Sequence, residues 1–278
     1  MSTQEIAVSA RTLIEGSFGA EGVAPLDTLY DVGLALGLPE QTVRLTIRRM
    51  QASGLLRQVG RGRAGHLVRT EEGTRDERAA LRLLDFAFAQ DRGLARWDGS
   101  WRLYAFSIPE SQRAERDGLR ALLVSLGAAA LAPGLYVTPH DLHEELARVV
   151  PEATVSERLI TAATDALRVP GCADDRAIAE RLWPADEVLA ACRPLEAAIA
   201  ALPDPAGIDE IAVTAQALRL SEGLDHALRA DPLLPLELRP SPWPPSRVRA
   251  RFLESWERLE ALAPDLPVFA GPDARTVP

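Results

Sequence analysis

Three features predict an α+β chain built from an N-terminal winged helix-turn-helix, a middle ferredoxin-like α/β sandwich and a C-terminal α-helical domain. The first is a basic segment at residues 37–70. The second is a β-α-β-β-α-β alternation between residues 101 and 163. The third is a helical pattern that runs from about residue 174 to the C-terminus. At 278 residues the chain is long enough for several compact units, each with its own core.

The basic segment, GLPEQTVRLTIRRMQASGLLRQVGRGRAGHLVRT, holds seven arginines (Arg44, Arg48, Arg49, Arg57, Arg61, Arg63 and Arg69) and one acid, Glu40. Seven minus one is +6, in a chain whose formal net charge is −9. An acidic protein that gathers positive charge in one segment offers that segment to a polyanion, where it can release condensed counterions. Val43, Ile47 and Met50 recur at helical spacing and predict a buried stripe, which leaves Gln41, Thr42, Arg44 and Arg48 facing outward. Residues 26–36 read as a preceding short helix, with the tight turn at Gly37. Residues 55–59 and 66–69 read as strands around a Gly60–Gly65 turn, and residues 5–17 as a supporting helix with Ile6, Leu13 and Ile14 inward. Helix, turn, arginine-bearing helix and basic hairpin form a DNA reader. In that reading Gln41, Thr42, Arg44 and Arg48 face the major groove, while Arg57, Arg61, Arg63 and His66 touch phosphates or the neighbouring groove. Arg49 packs along the helix or reaches a phosphate.

Gly60–Gly65 also matches G-x-G-x-x-G, but the residues that follow, HLVRT, favour a strand. A dinucleotide site needs a helix to begin at those glycines. His140 and His143 stand three apart beside Glu144, so a metal-dependent enzyme is one alternative; no third ligand stands near them in sequence. Nucleophile elbows and phosphate loops are absent, so the chain reads as a non-enzyme without cofactor or metal. A non-catalytic adaptor is a further alternative, though it leaves the basic hairpin without a purpose. Cys172 and Cys192 lack metal-type spacing and read as thiols of a reducing compartment. With no signal-like N-terminus and no apolar run of membrane-spanning length, a soluble cytoplasmic protein is expected.

Thr70, Glu71 and Glu72 start a helix over 71–90. Residues 101–108 read as a strand, 109–126 as a helix, 128–131 and 135–138 as strands around the Pro133-Gly134 turn, 140–149 as a helix and 159–163 as a strand. Helices are expected at 175–182, 186–202 with a kink at Pro194, 208–229 and 247–262, the third with Ile211, Ala215, Leu218 and Leu224 inward. Residues 231–245 contain six prolines in fifteen and are expected to wrap the surface as an extended brace. The resulting domains are 1–72 (DNA-binding), 73–96 (linker helix), 97–172 (ferredoxin-like, with a dimerisation or regulatory role) and 173–278 (helical, with the proline-rich brace).

These residues bear a resemblance to the PaaX family of transcriptional regulators, named for the repressor of bacterial phenylacetic acid degradation. It rests on VRLTIRRMQASGLL with GRGRAG at 43–65, WDGSWRLYAFSIPE at 97–110 and LGAAALAPGLYVTP at 126–139, together with DDRAIAERLWP at 174–184 and LDHALRADPLLPLELRPSPWPP at 224–245. The resemblance implies a cytoplasmic homodimer that represses from a palindromic operator and is released by an acyl- or aryl-CoA thioester such as phenylacetyl-CoA. Arg44 and Arg49 match the family's helix arginines, and Arg61 and Arg63 match by type. Pro39 departs from the usual serine cap, and Thr46 and Arg48 depart from smaller or apolar residues, so operator and effector can differ from the namesake's. For the effector, Trp183, His226, Arg229 and Trp243 supply apolar walls and positive charge suited to an acyl chain on a phosphorylated carrier. The pocket is expected between the sandwich and the C-terminal helices.

Overall fold

A computed structural model describes residues 7–203 and 207–270, with the side chains of residues 152, 153 and 155 outside the description. It is α+β and divides into two compact units. One comprises Met1–Phe88, Ala190–Ala227 and Pro244–Pro278, the other Ala89–Leu189 and Leu228–Trp243.

The first unit begins with α1 (Ala10–Glu15), β1 (Val23–Pro25), α2 (Leu26–Ala35), α3 (Glu40–Ala52), β2 (Leu56–Val59), β3 (His66–Arg69) and α4 (Glu71–Asp91); apart from the short strand β1, which the sequence does not predict, this is the expected order. The three strands form an antiparallel sheet in the order β1-β3-β2. Leu13 and Ile14 of α1, Leu26 and Leu29 of α2, Val43 and Ile47 of α3, and Leu56 and Leu67 of the sheet are all buried. Each large aliphatic side chain among them contributes about 1.5–3 kcal/mol of burial. Ile6 lies outside the described residues.

The turn between α2 and α3 is fixed by Gly37 at φ +71°. Its amide bonds the Leu34 carbonyl at 2.9 Å and the Leu38 amide bonds the Gly33 carbonyl at 2.8 Å, a helix stop that needs a residue free to adopt positive φ. α3 ends the same way, with Leu55 N donating to Met50 O at 2.9 Å after Gly54. Thr70 caps α4 by accepting from the Gly73 amide at 3.1 Å, and its hydroxyl donates to Gly54 O at 2.6 Å. Gly73 is required there: a Cβ would lie 2.1 Å from the Leu55 carbonyl oxygen. Gly73→Ala is therefore expected to cost about 1–3 kcal/mol of stability by overpacking backbone against backbone, read as a lowered thermal midpoint.

Parts of α9 (Ala185–Ala200), α10 (Glu210–Ala230) and α11 (Pro244–Glu260) complete this unit. Glu222 of α10 accepts from the Ser9 amide at 2.9 Å and the Thr12 hydroxyl at 2.5 Å, and Leu218 fills the space that a side chain at Gly16 would need. The inward stripe of α10 is Val213, Ala217, Leu218, Leu220 and Leu224. Ala215 is buried as expected, whereas Ile211, on the same face, is 39% exposed at the first turn of the helix.

The second unit contains β4 (Trp101–Phe106), α5 (Arg113–Ser125), β5 (Ala129–Ala132), β6 (Leu135–Thr138), α6 (His143–Val149), α7 (Glu152–Arg158), β7 (Leu159–Thr164) and α8 (Asp175–Leu182). Its sheet order β5-β6-β4-β7, antiparallel throughout, is the ferredoxin-like arrangement expected from the alternation. The short helix α7 was not anticipated; Glu152 follows Pro151, which opens the helix with a fixed φ. Alternation along β4 sends Tyr104 and Phe106 to one face, against Leu119, Leu123 and Leu146, and Trp101 and Leu103 to the other.

That second face explains a correction. The proline-rich segment was expected on the surface, yet Leu233, Leu234, Pro235, Leu238 and Arg239 are buried. Leu234 and Leu238 cover Trp101 and Val137 together with Ile178 of α8, because the sheet's apolar second face has to be shielded from water. The segment's last two prolines, Pro244 and Pro245, open α11, where a missing amide hydrogen is harmless.

Candidate nucleic-acid interface

On α3 the buried stripe of Val43, Ile47 and Met50 leaves Gln41, Thr42, Arg44, Leu45, Arg48 and Arg49 exposed. Glu40, Gln41, Arg44, Leu45 and Arg48 share one open face of α3. Arg57 on β2 and Arg61 and Arg63 in the hairpin loop are exposed, and His66 at the start of β3 is half-buried. The loop is tightened by a short helical turn, Gly62–Ala64, and Gly65 O accepts from Leu26 N at 3.0 Å, which ties the loop to the start of α2. All nine predicted residues therefore belong to one small helix-and-hairpin module of the first unit.

They are not equivalent electrostatically. Arg48, Arg49, Arg57 and Arg61 carry their charge into solvent with no ion pair or hydrogen bond from the guanidinium among the described residues. Arg44 bonds Glu40 one turn earlier at 2.5 Å, and its guanidinium carbon lies 5.9 Å from the Tyr30 ring centroid. A hydrogen bond with Tyr30, then the Glu40 charge, hold Arg44 above the ordinary arginine value. Arg63 pairs with Asp31, donates to the Asp27 carbonyl at 3.3 Å and lies 5.7 Å from the same Tyr30 ring. Arg69, counted in the segment's charge, is structural: it pairs with Glu77 at 2.5 Å and stacks 4.4 Å from the Phe18 centroid, with only 14% of its side chain exposed.

Tyr30, Asp27 and Asp31 were missed from sequence. Their spacing on α2, three and four apart, places an aromatic and two acids on one exposed stripe, a readable signal once an arginine-rich hairpin is expected nearby.

Of the four effector candidates, His226 belongs to the first unit and Trp183, Arg229 and Trp243 to the second. Trp183 donates to Gly127 O at 3.0 Å and stacks on Trp101 at 6.1 Å with 3° between planes, so it is part of the second unit's core. Trp243 is half-buried, and its Nε1 is buried without a hydrogen-bond partner among the described residues. His226 and Arg229 are exposed on α10.

His140 was expected to share a helix with His143, but α6 begins only at His143. Its ring Nε2 lies 3.1 Å from the Pro232 carbonyl oxygen. Among the described residues no three His, Cys, Asp or Glu side chains gather as a metal site. Burial, partly offset by bonds to the Pro232 and Leu233 backbone, lowers the His140 pKa from its usual 6.5. The unfolded chain thus takes up this proton first, so the stability contribution is complete above about 6.5 and is lost as pH falls below it. His140→Gln should flatten that part of the unfolding free energy measured against pH.

A family model described as the PaaX protein central Cas2-like domain matches residues 94–178, a span covering the sheet of the second unit and reaching into α8. Among solved structures the chain is similar to an uncharacterized protein, Rv0674, from Mycobacterium tuberculosis. The TM-score is 0.56 and the identity 21%, over 91% of this chain and 97% of that one, a likeness of fold. The search of curated proteins gave no match. No helix among the described residues is long and apolar enough to cross a membrane. Over residues 94–178 the chain is thus similar to the central domain of the PaaX family, and along nearly its whole length it shares the fold of a solved structure.

Proposed function

We propose that the chain is a DNA-binding transcriptional regulator whose N-terminal module is a winged helix-turn-helix, with α3 as the major-groove helix and the Gly60–Gly65 loop as the wing. One observation carries this reading: the outward face of α3 and the adjoining hairpin present Arg48, Arg49, Arg57 and Arg61 without counter-ions among the described residues, in a chain of net charge −9. Gln41, Thr42, Arg44 and Arg48 read bases, and Arg49, Arg57, Arg61 and His66 meet phosphates.

The likeness of residues 94–178 to the PaaX central domain supports the finer reading of a cytoplasmic homodimeric repressor of a catabolic operon, relieved by an acyl- or aryl-CoA thioester. A two-fold dimer sets half-sites about one helical turn apart, or a multiple of it. Release requires the thioester to bind the DNA-incompetent state more tightly. Of the residues proposed for the effector, Trp243 has the strongest support, since its buried indole N–H has no partner among the described residues and a ligand acceptor would supply one. Mobility shift on the DNA upstream of the protein's own and adjacent genes, with and without phenylacetyl-CoA and other CoA thioesters, tests both parts. A retarded band that thioester dissolves is expected; no retarded band on any of these fragments would refute the assignment.

A further inference from the structure

Arg61 and Arg63 are both exposed in the hairpin loop, but they differ in their partners. Arg61 projects into solvent. Arg63 turns back onto α2, where one guanidinium nitrogen reaches both Asp31 and the Asp27 carbonyl and the group lies within 6 Å of the Tyr30 ring centroid. An exposed ion pair alone contributes little. Here it is joined by a backbone bond, a cation–π contact and the nearby Leu26 N to Gly65 O link, all drawing the loop toward the same helix. Tyr30 also takes Arg44 of α3, so one ring stands between the base-reading helix and the loop.

We infer that Arg63 is a positioning residue, and that Tyr30 and Asp31 form the seat through which it sets the wing, and with it Arg61, relative to α3. This rests on the DNA-binding reading above. A planar fork that stacks and bonds together is a task for arginine that lysine cannot take over, whereas a simple phosphate contact tolerates lysine.

The test measures the salt dependence of binding to a random-sequence duplex, by fluorescence anisotropy, for the parent, Arg61→Ala, Arg63→Ala, Arg63→Lys, the Arg61/Arg63 double alanine variant, Tyr30→Leu and Tyr30→Phe. Arg61→Ala should lower the salt slope by about one unit. If Arg63 positions the wing, Arg63→Ala and Arg63→Lys should each lower it by a similar amount, about one unit, and the double variant by no more. Tyr30→Leu should follow Arg63→Ala, and Tyr30→Phe, which keeps the ring, should follow the parent. Thermal midpoints matching the parent's confirm that the loss is not unfolding. A double variant that loses about two units, or a parent-like Arg63→Lys, makes Arg63 an ordinary phosphate ligand and overturns the inference while the DNA reading stands. A parent that fails to bind any duplex overturns the DNA reading itself.

Discussion

Replacing Arg48 by alanine is expected to weaken binding to the preferred DNA sequence by about 1–3 kcal/mol, and to weaken binding to a scrambled duplex much less. Arg48 is exposed on the outward face of α3 and has no partner among the described residues, so its five donors would enter a groove uncommitted. Arg44 stands one turn earlier on the same face but has to exchange Glu40 for a base edge. The gain from that exchange is smaller, because the ion pair it gives up is already favourable. Arg44→Ala should therefore cost less than Arg48→Ala on the preferred sequence. Competition binding at fixed ionic strength separates the cases: equal losses on both duplexes would make Arg48 a phosphate contact and move base reading elsewhere on the helix.

The largest stability effect should come from Trp101→Ala, about 3–5 kcal/mol. Trp101 is fully buried, stacks on Trp183 and meets Trp97 edge-on at 5.4 Å, and its indole N–H donates to Asp175 at 2.8 Å. Truncation opens a large cavity on the sheet's second face and removes the bond to the first turn of α8. The same face carries Leu234 and Leu238, so the proline-rich segment should lose protection along with the sheet. Urea unfolding followed by tryptophan fluorescence, with hydrogen exchange across 231–243, reads both. A loss under about 1 kcal/mol would mean that the site collapses around the missing ring and that this face is not the segment's anchor.

Most of the fold was legible because the decisive signals were local. Gly37 and Gly54 stop α2 and α3 through backbone bonds that any positive-φ glycine offers, and Thr70 with Glu71 and Glu72 starts α4. The alternation of β4 and the Pro133-Gly134 turn marked the sandwich in the same way. What was misjudged depended on distant partners. A segment with six prolines reads as surface until the sheet is known to have a second apolar face for Leu234 and Leu238 to cover. The helix expected from His140 begins at His143, since the His140 ring reaches Pro232, ninety-two positions away in sequence.

The candidate site shows the same division. Periodicity predicts an outward face on α3, and Gln41, Thr42, Arg44 and Arg48 are exposed there. Composition could not tell Arg61 from Arg63, one in solvent and the other seated on Asp31 and Tyr30, nor show that Arg69 is withdrawn into a pair with Glu77. Those distinctions arise only when α2 is folded against the hairpin. Residue type alone does not separate Trp183, a stacking partner of Trp101, from Trp243, whose indole N–H has no partner among the described residues.

The central claim is that Arg48, Arg49, Arg57 and Arg61, which have no ion pair among the described residues, are a DNA-binding surface. The most direct test is a salt titration of binding to a random-sequence duplex, comparing the parent chain with a variant carrying alanine at all four positions. The account predicts that log affinity falls linearly with log salt for the parent, with a slope of about −3 or steeper per bound protomer. It also predicts that the variant, with an unchanged melting temperature, loses nearly all of this binding. A folded variant that binds with the parent's affinity and salt slope would contradict it.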